Sequence, residues 1–209
     1  MQKETVDVLK NFASINQGIL ILQGSELRTM SIMKNVFATA KVPDTFDREF
    51  AVYDLNEFLA TLSLFDKPEL AFKEEHILIA EGKSKIKYFY SAPSVIVSPP
   101  RDKSIKVEGD LTFQLPLAIL SQLLKAASVM SLKELEITSK GLRAFNKSSV
   151  GNQYDVKLED ITGETTAKIL NIENLKLLPR DYTVVVGTKA VKFTSIDKDL
   201  EYIVAVEAD

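Results

Sequence analysis

The sequence predicts an α+β protein made of two similar halves, and three observations carry that prediction. Short amphipathic helical stretches recur along the chain, starting near residues 5, 54, 116 and 171, roughly every 50 to 60 residues. The apolar runs between them are joined by hairpin-sized turns, which suit antiparallel strands because parallel neighbours need long crossovers. One proline-bearing stretch, 91–106, has neither periodicity and is expected to link a first domain, 1–90, to a second, 107–209.

The first helix is expected over Thr5 to Ile15, where Val8, Leu9, Phe12 and Ile15 share one stripe. Gly18 to Leu22 follows as a strand. The second helix begins at Asp54, whose spacing to Glu57 suits a capping box, and it buries Leu55, Phe58, Leu59 and Leu62. Glu74-Glu75-His76 lies between two strand-like segments and reads as a solvated hairpin turn. The linker carries Pro93, Pro99, Pro100, Arg101, Asp102 and Lys103. The third helix opens with Pro116, favourable in a first turn, and carries Ile119, Leu120, Leu123 and Leu124. Leu135 to Thr138 is a strand that turns at Ser139-Lys140-Gly141. A fourth helix is expected from a cap at Asn171 through Ile172 and Leu175 to Leu178, stopped by Pro179. Thr183 to Val186, the turn Gly187-Thr188-Lys189 and Tyr202 to Val206 complete the strands.

Composition removes several functions. With 209 residues, 45% of them apolar and 26% charged, the chain can bury a substantial core. Cysteine is absent, which excludes disulfides, Cys-zinc sites, iron–sulfur clusters and thiol catalysis. The start, MQKETVDVLKNF, lacks a signal-peptide core, and no apolar run approaches the roughly 20 residues of a membrane helix, so no membrane role is expected. The glycines form neither a phosphate loop nor a dinucleotide fingerprint, so no cofactor is expected. His76 is the only histidine, and neighbouring strand side chains point to opposite faces, so Glu74, Glu75 and His76 do not converge into an acid–base or metal site. The chain does not read as an enzyme. The rival reading is a small metalloenzyme centred on those three residues.

The net charge of −3 argues against a uniformly basic nucleic-acid binder and leaves only local contact with phosphate. Each helix has a face its core stripe does not use. Lys3, Asp7, Lys10 and Ser14 line up on the first helix, with Asn11 adjacent; Ala118, Ser121, Gln122, Lys125 and Ser128 line up on the third; Asn174 and Lys176 stand on the fourth. Lys3, Lys10, Lys125 and Lys176 are thus positive points on an acidic chain, a pattern suited to loose phosphate contact without base reading. The second helix departs from it with Asp54, Asn56 and Glu57.

The stretches LKNFASINQG (Leu9 to Gly18), AVYDLNEFLATLSLF (Ala51 to Phe65), FNK (Phe145 to Lys147) and YIVAVEAD (Tyr202 to Asp209) resemble the DNA polymerase sliding clamps of myovirus-type tailed bacteriophages, in order and over essentially the whole chain. The resemblance implies two processivity-fold domains per chain, with antiparallel sheets outside and helices lining a homotrimeric ring that encircles duplex DNA. It implies a tether for the replicative DNA polymerase, an ATP-driven clamp loader as a second partner, and work in the cytoplasm of the infected bacterial host. The alternative is a structural ring-forming phage protein with no DNA-tethering role. On this reading Lys3, Lys10, Asn11, Gln122, Lys125 and Lys176 face DNA. Subunits join edge to edge through Lys85, Ile86 and Lys87 of one copy and Tyr154, Asp155 and Val156 of the next. Partners dock on Tyr90, Val95, Val97, Tyr202, Val204 and Val206.

Overall fold

Apolar residues at helical spacing fold the start of the chain into α1 (Lys3–Ile15), which buries Thr5, Val8, Leu9 and Phe12 and leaves Ile15 half-buried. The computed structural model describes residues 1–101, 105–109, 111–148 and 150–207. The chain divides into two units, Met1–Asp102 and Lys103–Asp209. Of the expected linker, Asp102, Lys103 and Ser104 lie outside the described residues, as do the last two residues of the YIVAVEAD segment.

In the first unit α1 packs on β2 (Gly24–Met30) and β3 (Val36–Phe46), an antiparallel hairpin, and on α2 (Leu55–Leu62). β1 (Ile19–Ile21) pairs antiparallel with β4 (Phe50–Val52). The Asp54 cap works as its spacing predicts: the Glu57 amide donates to Asp54 Oδ1 at 3.0 Å, and Gln17 Nε2 donates to Oδ2 at 2.8 Å. Those two bonds, the Glu57 amide first, hold the Asp54 carboxyl below its ordinary value. β5 (Glu69–Phe72), β6 (His76–Glu81) and β7 (Ser84–Phe89) form an antiparallel meander. Tyr88 from β7 donates its hydroxyl to the Asp54 carbonyl at 3.2 Å; burial, with Glu57 and Asp54 nearby, pushes the phenol up to about 12.

The second unit repeats this order. β8 (Leu111–Leu115) precedes α3 (Leu117–Met130), which buries Leu120, Leu123 and Ala127. Pro116 caps this helix rather than opening it. β9 (Glu134–Thr138), β10 (Gly141–Phe145), β11 (Tyr154–Val156) and β12 (Lys168–Asn171) form one antiparallel sheet in the order β11-β10-β9-β12. β12 closes back on β9 as β4 closes on β1 in the first unit. β13 (Tyr182–Val186), β14 (Ala190–Ser195) and β15 (Leu200–Ala205) form a second meander, with β8 against β13.

The fourth helix is a correction. Asn171 does cap, accepting from the Glu173 amide at 2.9 Å, but only the single 3-10 turn Ile172–Asn174 forms. Buried Leu175 leaves the helical region at φ −79°, ψ 60°. Two buried tyrosines then take both backbone groups of Leu178: its amide donates to Tyr202 Oη at 3.2 Å, and its carbonyl accepts from Tyr182 Oη at 2.6 Å. A helix through Leu178 would need that amide for Asn174. Tertiary hydrogen bonds outcompete a stretch too short to be stable as an isolated helix. Burial pushes both phenols well above their ordinary value.

Arg180 and Asp199 brace the β14–β15 turn. Arg180 Nη1 lies 2.8 Å from each Asp199 carboxylate oxygen, and Ser195 Oγ donates to Oδ1 at 2.7 Å. Burial pushes the Asp199 carboxyl up, but the Ser195 hydroxyl and the Arg180 guanidinium together hold it below its ordinary value. A carboxylate lowered in the folded state contributes stability above its unfolded value, about 3.9, and that stability is lost as pH falls through the folded value. Urea midpoints between pH 7 and pH 2 are therefore expected to fall less steeply for Asp199→Asn than for the parent chain.

Candidate functional site

The buried stripe of each long helix leaves the opposite face to solvent. On α1 Lys3, Lys10 and Ser14 are exposed, while Asp7 and Asn11 are half-buried. On α3 Ala118, Ser121, Gln122, Lys125 and Ser128 are all exposed, as helical spacing predicts. Lys176 is exposed just after the 3-10 turn, with Asn174 half-buried. It stands on irregular backbone, not on a third basic helix. α2 exposes Asn56 and Glu57, so its polar face is acidic. α1 and α3 thus carry Lys3, Lys10 and Lys125 on the side turned away from the core. Such a surface offers point charges to phosphate, contacts that position a protein on nucleic acid without reading its sequence.

The residues expected at subunit junctions stand on strand edges. β7 pairs only with β6, and β11 only with β10, among the described residues. The Tyr90 amide donates to the Glu75 carbonyl at 3.0 Å, just beyond the His76↔Phe89 pair. Because hydrogen-bonded pairs alternate along an antiparallel ladder, Ile86 and Tyr88 turn their backbone groups inward to β6, while Lys85 and Lys87 turn theirs to the open side. Lys85 and Lys87 are exposed, and Ile86 is half-buried. On β11 exposed Asp155 accepts from Arg143 Nε at 3.0 Å, with Tyr154 and Val156 half-buried on either side.

The residues expected to dock partners divide. Tyr202 and Val204 are 0% exposed. They fill the core of the second unit, and this corrects the reading that they form a surface. Both alternate on the inward face of β15, where Tyr202 lies edge-on to Tyr182 at 6.2 Å. Val206 is half-buried, its amide donating to the Lys189 carbonyl. Tyr90 is half-buried, its ring 5.3 Å from Phe50. Val95 is 56% exposed in the 3-10 turn Pro93–Val95. Val97 is half-buried and Ile96 between them is buried, so the segment alternates outward and inward.

The sequence reading passes over Asn16, which is 7% exposed and polar. Its Nδ2 donates to the carbonyls of Met30 at 2.9 Å and Val97 at 2.8 Å, and its Oδ1 accepts from the Gly18 amide at 3.2 Å. The signal available was a polar residue two positions before a glycine at the end of an amphipathic helix. A Cβ at Gly18 would stand 2.8 Å from Ile96 Cδ1 and 3.1 and 3.2 Å from the Tyr53 and Val52 carbonyl oxygens, so the backbone packs closely there.

Glu74 and Glu75 are exposed in the turn before β6, and His76 opens that strand with its ring 5.4 Å from Phe89. Among the described residues no group of three His, Cys, Asp or Glu is placed to hold a metal ion, and no helix is long and apolar enough to cross a membrane.

Gly141 sets the β11 edge. At φ +136° a Cβ would stand 2.1 Å from the Val156 carbonyl oxygen. Gly141→Ala is expected to cost about 1–3 kcal/mol of backbone strain. Hydrogen exchange should show that loss concentrated in β10 and β11, with β13 to β15 unchanged.

Residues 2–98 match the family of DNA polymerase processivity factors. Over its full length the chain is 33% identical to the sliding clamp of Enterobacteria phage T4, covering 97% of that protein. It is 31% identical to the sliding clamp of Vibrio phage KVP40, covering 99%. Among solved structures it resembles A. fulgidus PCNA bound to the C-terminal region of FEN-1, with a TM-score of 0.70 at 14% identity over 98% of this chain and 95% of that one. It also resembles the DNA polymerase III subunit beta of Pseudomonas aeruginosa, with a TM-score of 0.66 at 12% identity over 98% of this chain and 63% of the other.

Proposed function

This chain belongs to the DNA polymerase processivity factor family of phage sliding clamps, and we propose that it works as a homotrimeric ring that encircles duplex DNA and tethers the replicative polymerase. The observation that carries the reading is full-length similarity to phage sliding clamps at 33% identity, joined to lysines on the free faces of α1 and α3. The mechanism is topological and not enzymatic. A closed ring needs only weak, exchangeable phosphate contacts, which permit sliding while closure prevents escape. An acidic chain repels DNA wherever the lysines are absent. The tether raises the effective concentration of polymerase at the primer end. An ATP-driven clamp loader supplies the opening step, and the work takes place in the host cytoplasm.

The DNA-facing set is Lys3, Lys10, Asn11, Gln122, Lys125 and Lys176. Changing Lys3, Lys10, Lys125 and Lys176 together to Ala is expected to leave the oligomer intact and to shorten processive synthesis, while single changes do little. The salt at which processivity fails should fall, because each phosphate contact contributes a slope of about 0.9 in log affinity against log salt. Normal processivity of the quadruple variant at moderate salt would remove the helix faces from the reading.

The subunit contact pairs the open side of β7 in one copy with β11 of the next, bringing Lys83, Lys85 and Lys87 against Asp155, Glu159 and Asp160. This pairing also covers edges that would otherwise invite aggregation. Lys87→Pro removes a backbone donor on the open side and spares the inward bonds of Ile86 and Tyr88. Light scattering is expected to fall from three times the chain mass to the mass of one chain. A stable trimer would place the junction on other strands.

With Tyr202 and Val204 buried, the docking set keeps Val206 in the second unit and Tyr90, Val95 and Val97 in the first, where their segment is the expected seat for a short apolar-aromatic peptide at the polymerase C-terminus and, in turn, for the loader.

A further inference from the structure

The segment 91–101 reads as a connector in the sequence, yet in the first unit it is fastened along its length. The Ser91 amide donates to the Ala51 carbonyl, while the Ile96 amide closes the segment's own turn on the Pro93 carbonyl. Ile96 is buried, in the space that Gly18 leaves open. Asn16 holds the Val97 carbonyl with the same amide that holds Met30. Further on, Arg28 Nη1 donates to the carbonyls of Pro100 at 3.2 Å and Arg101 at 3.1 Å. The Arg28 guanidinium is set over the Phe37 ring at 5.4 Å, and Arg101 is itself tied to Glu49 at 2.7 Å.

These bonds go to main-chain carbonyls, so they fix the path of the segment whatever side chains it displays. We infer that Asn16 and Arg28 are positioning residues for partner docking: by holding the carbonyls of Val97, Pro100 and Arg101 they keep Val95 and Val97 presented as a rigid apolar surface. The inference rests on the proposed docking of the polymerase peptide at this segment. Neither residue needs to touch the partner. A peptide meeting a pre-ordered surface avoids the entropy cost of ordering it, so loosening the fastening weakens binding without removing a contact. Asn16 holds the middle of the segment and Arg28 its end, so the two act at separate points on one strap.

The test uses the full chain and the C-terminal peptide of its polymerase, with calorimetry for affinity and hydrogen exchange for the amides of Ile96, Val97 and Ser98. Asn16→Ala is expected to speed exchange at those amides and to weaken the peptide about tenfold. Arg28→Met, which keeps an apolar stem against Phe37 and carries less risk of misfolding, should weaken it about threefold. In both variants the oligomer mass and exchange in β6 should match the parent. A merely structural role would speed exchange throughout the unit. Unchanged local exchange in both variants overturns the inference. So does peptide affinity within a factor of about 1.5 of the parent in both, when Val97→Asp abolishes binding. If Val97→Asp binds as tightly as the parent, the docking reading itself fails and takes the inference with it.

Discussion

Backbone groups at the edge of an antiparallel sheet have no partner within that sheet, and each unit of this chain ends one sheet on such a strand, β7 in the first and β11 in the second. The rest of the architecture follows from short connections. Hairpin turns allow only antiparallel neighbours, and an antiparallel sheet that does not close on itself keeps its edges. The two edges differ in charge: exposed Lys85 and Lys87 flank Ile86 on β7, while Asp155 at the middle of β11 is paired with Arg143 of β10. A strand that is open, short and charged resists promiscuous pairing and accepts a complementary edge. For a chain proposed to assemble with its own copies, that is the property required.

Half-buried helices supply the second ingredient. α1 and α3 each bury one stripe against the sheets behind them, so neither contributes all its surface to the core. What the core leaves over is a polar face fixed in place by packing. On α3 that face is small and neutral except for Lys125, and on α1 it alternates Lys3 and Lys10 with Asp7. A face of this kind binds phosphate weakly at any one point. Under the proposed mechanism weakness is an advantage, because tight contacts would stop the ring from sliding.

How far all this was legible depends on what each residue has to know. Asp54 and the stripe of α2 are local, since cap, spacing and apolar pattern lie within nine residues, and the helix stands where they put it. The stretch from Asn171 has the same local signals, cap included, yet becomes one 3-10 turn, because the deciding partners of Leu178 are hydroxyls from Tyr182 and Tyr202. Tyr202 and Val204 mislead for a related reason. Alternation along β15 predicts one open face, but Ile203 between them is buried as well, so the covering of this strand comes from neighbours its own pattern does not report. Asn16 has only a weak local signal, because its importance lies in a bond to Val97, 81 residues away.

The linker shows how composition and structure can part company for a physical reason. Prolines and the lack of periodicity remove the regular backbone ladder from 91–101, and an unladdered segment must find hydrogen bonds elsewhere or leave them to water. Here several carbonyls are taken by side chains reaching out of β2 and the end of α1, through Arg28 and Asn16. Proline suits such a strap, since it has no amide to satisfy and little freedom to lose. A stretch that looks like a flexible tether is therefore held at several points by the unit it follows. Apolar residues displayed on a constrained path, Val95 above all, give a partner a surface that requires little ordering when the two meet.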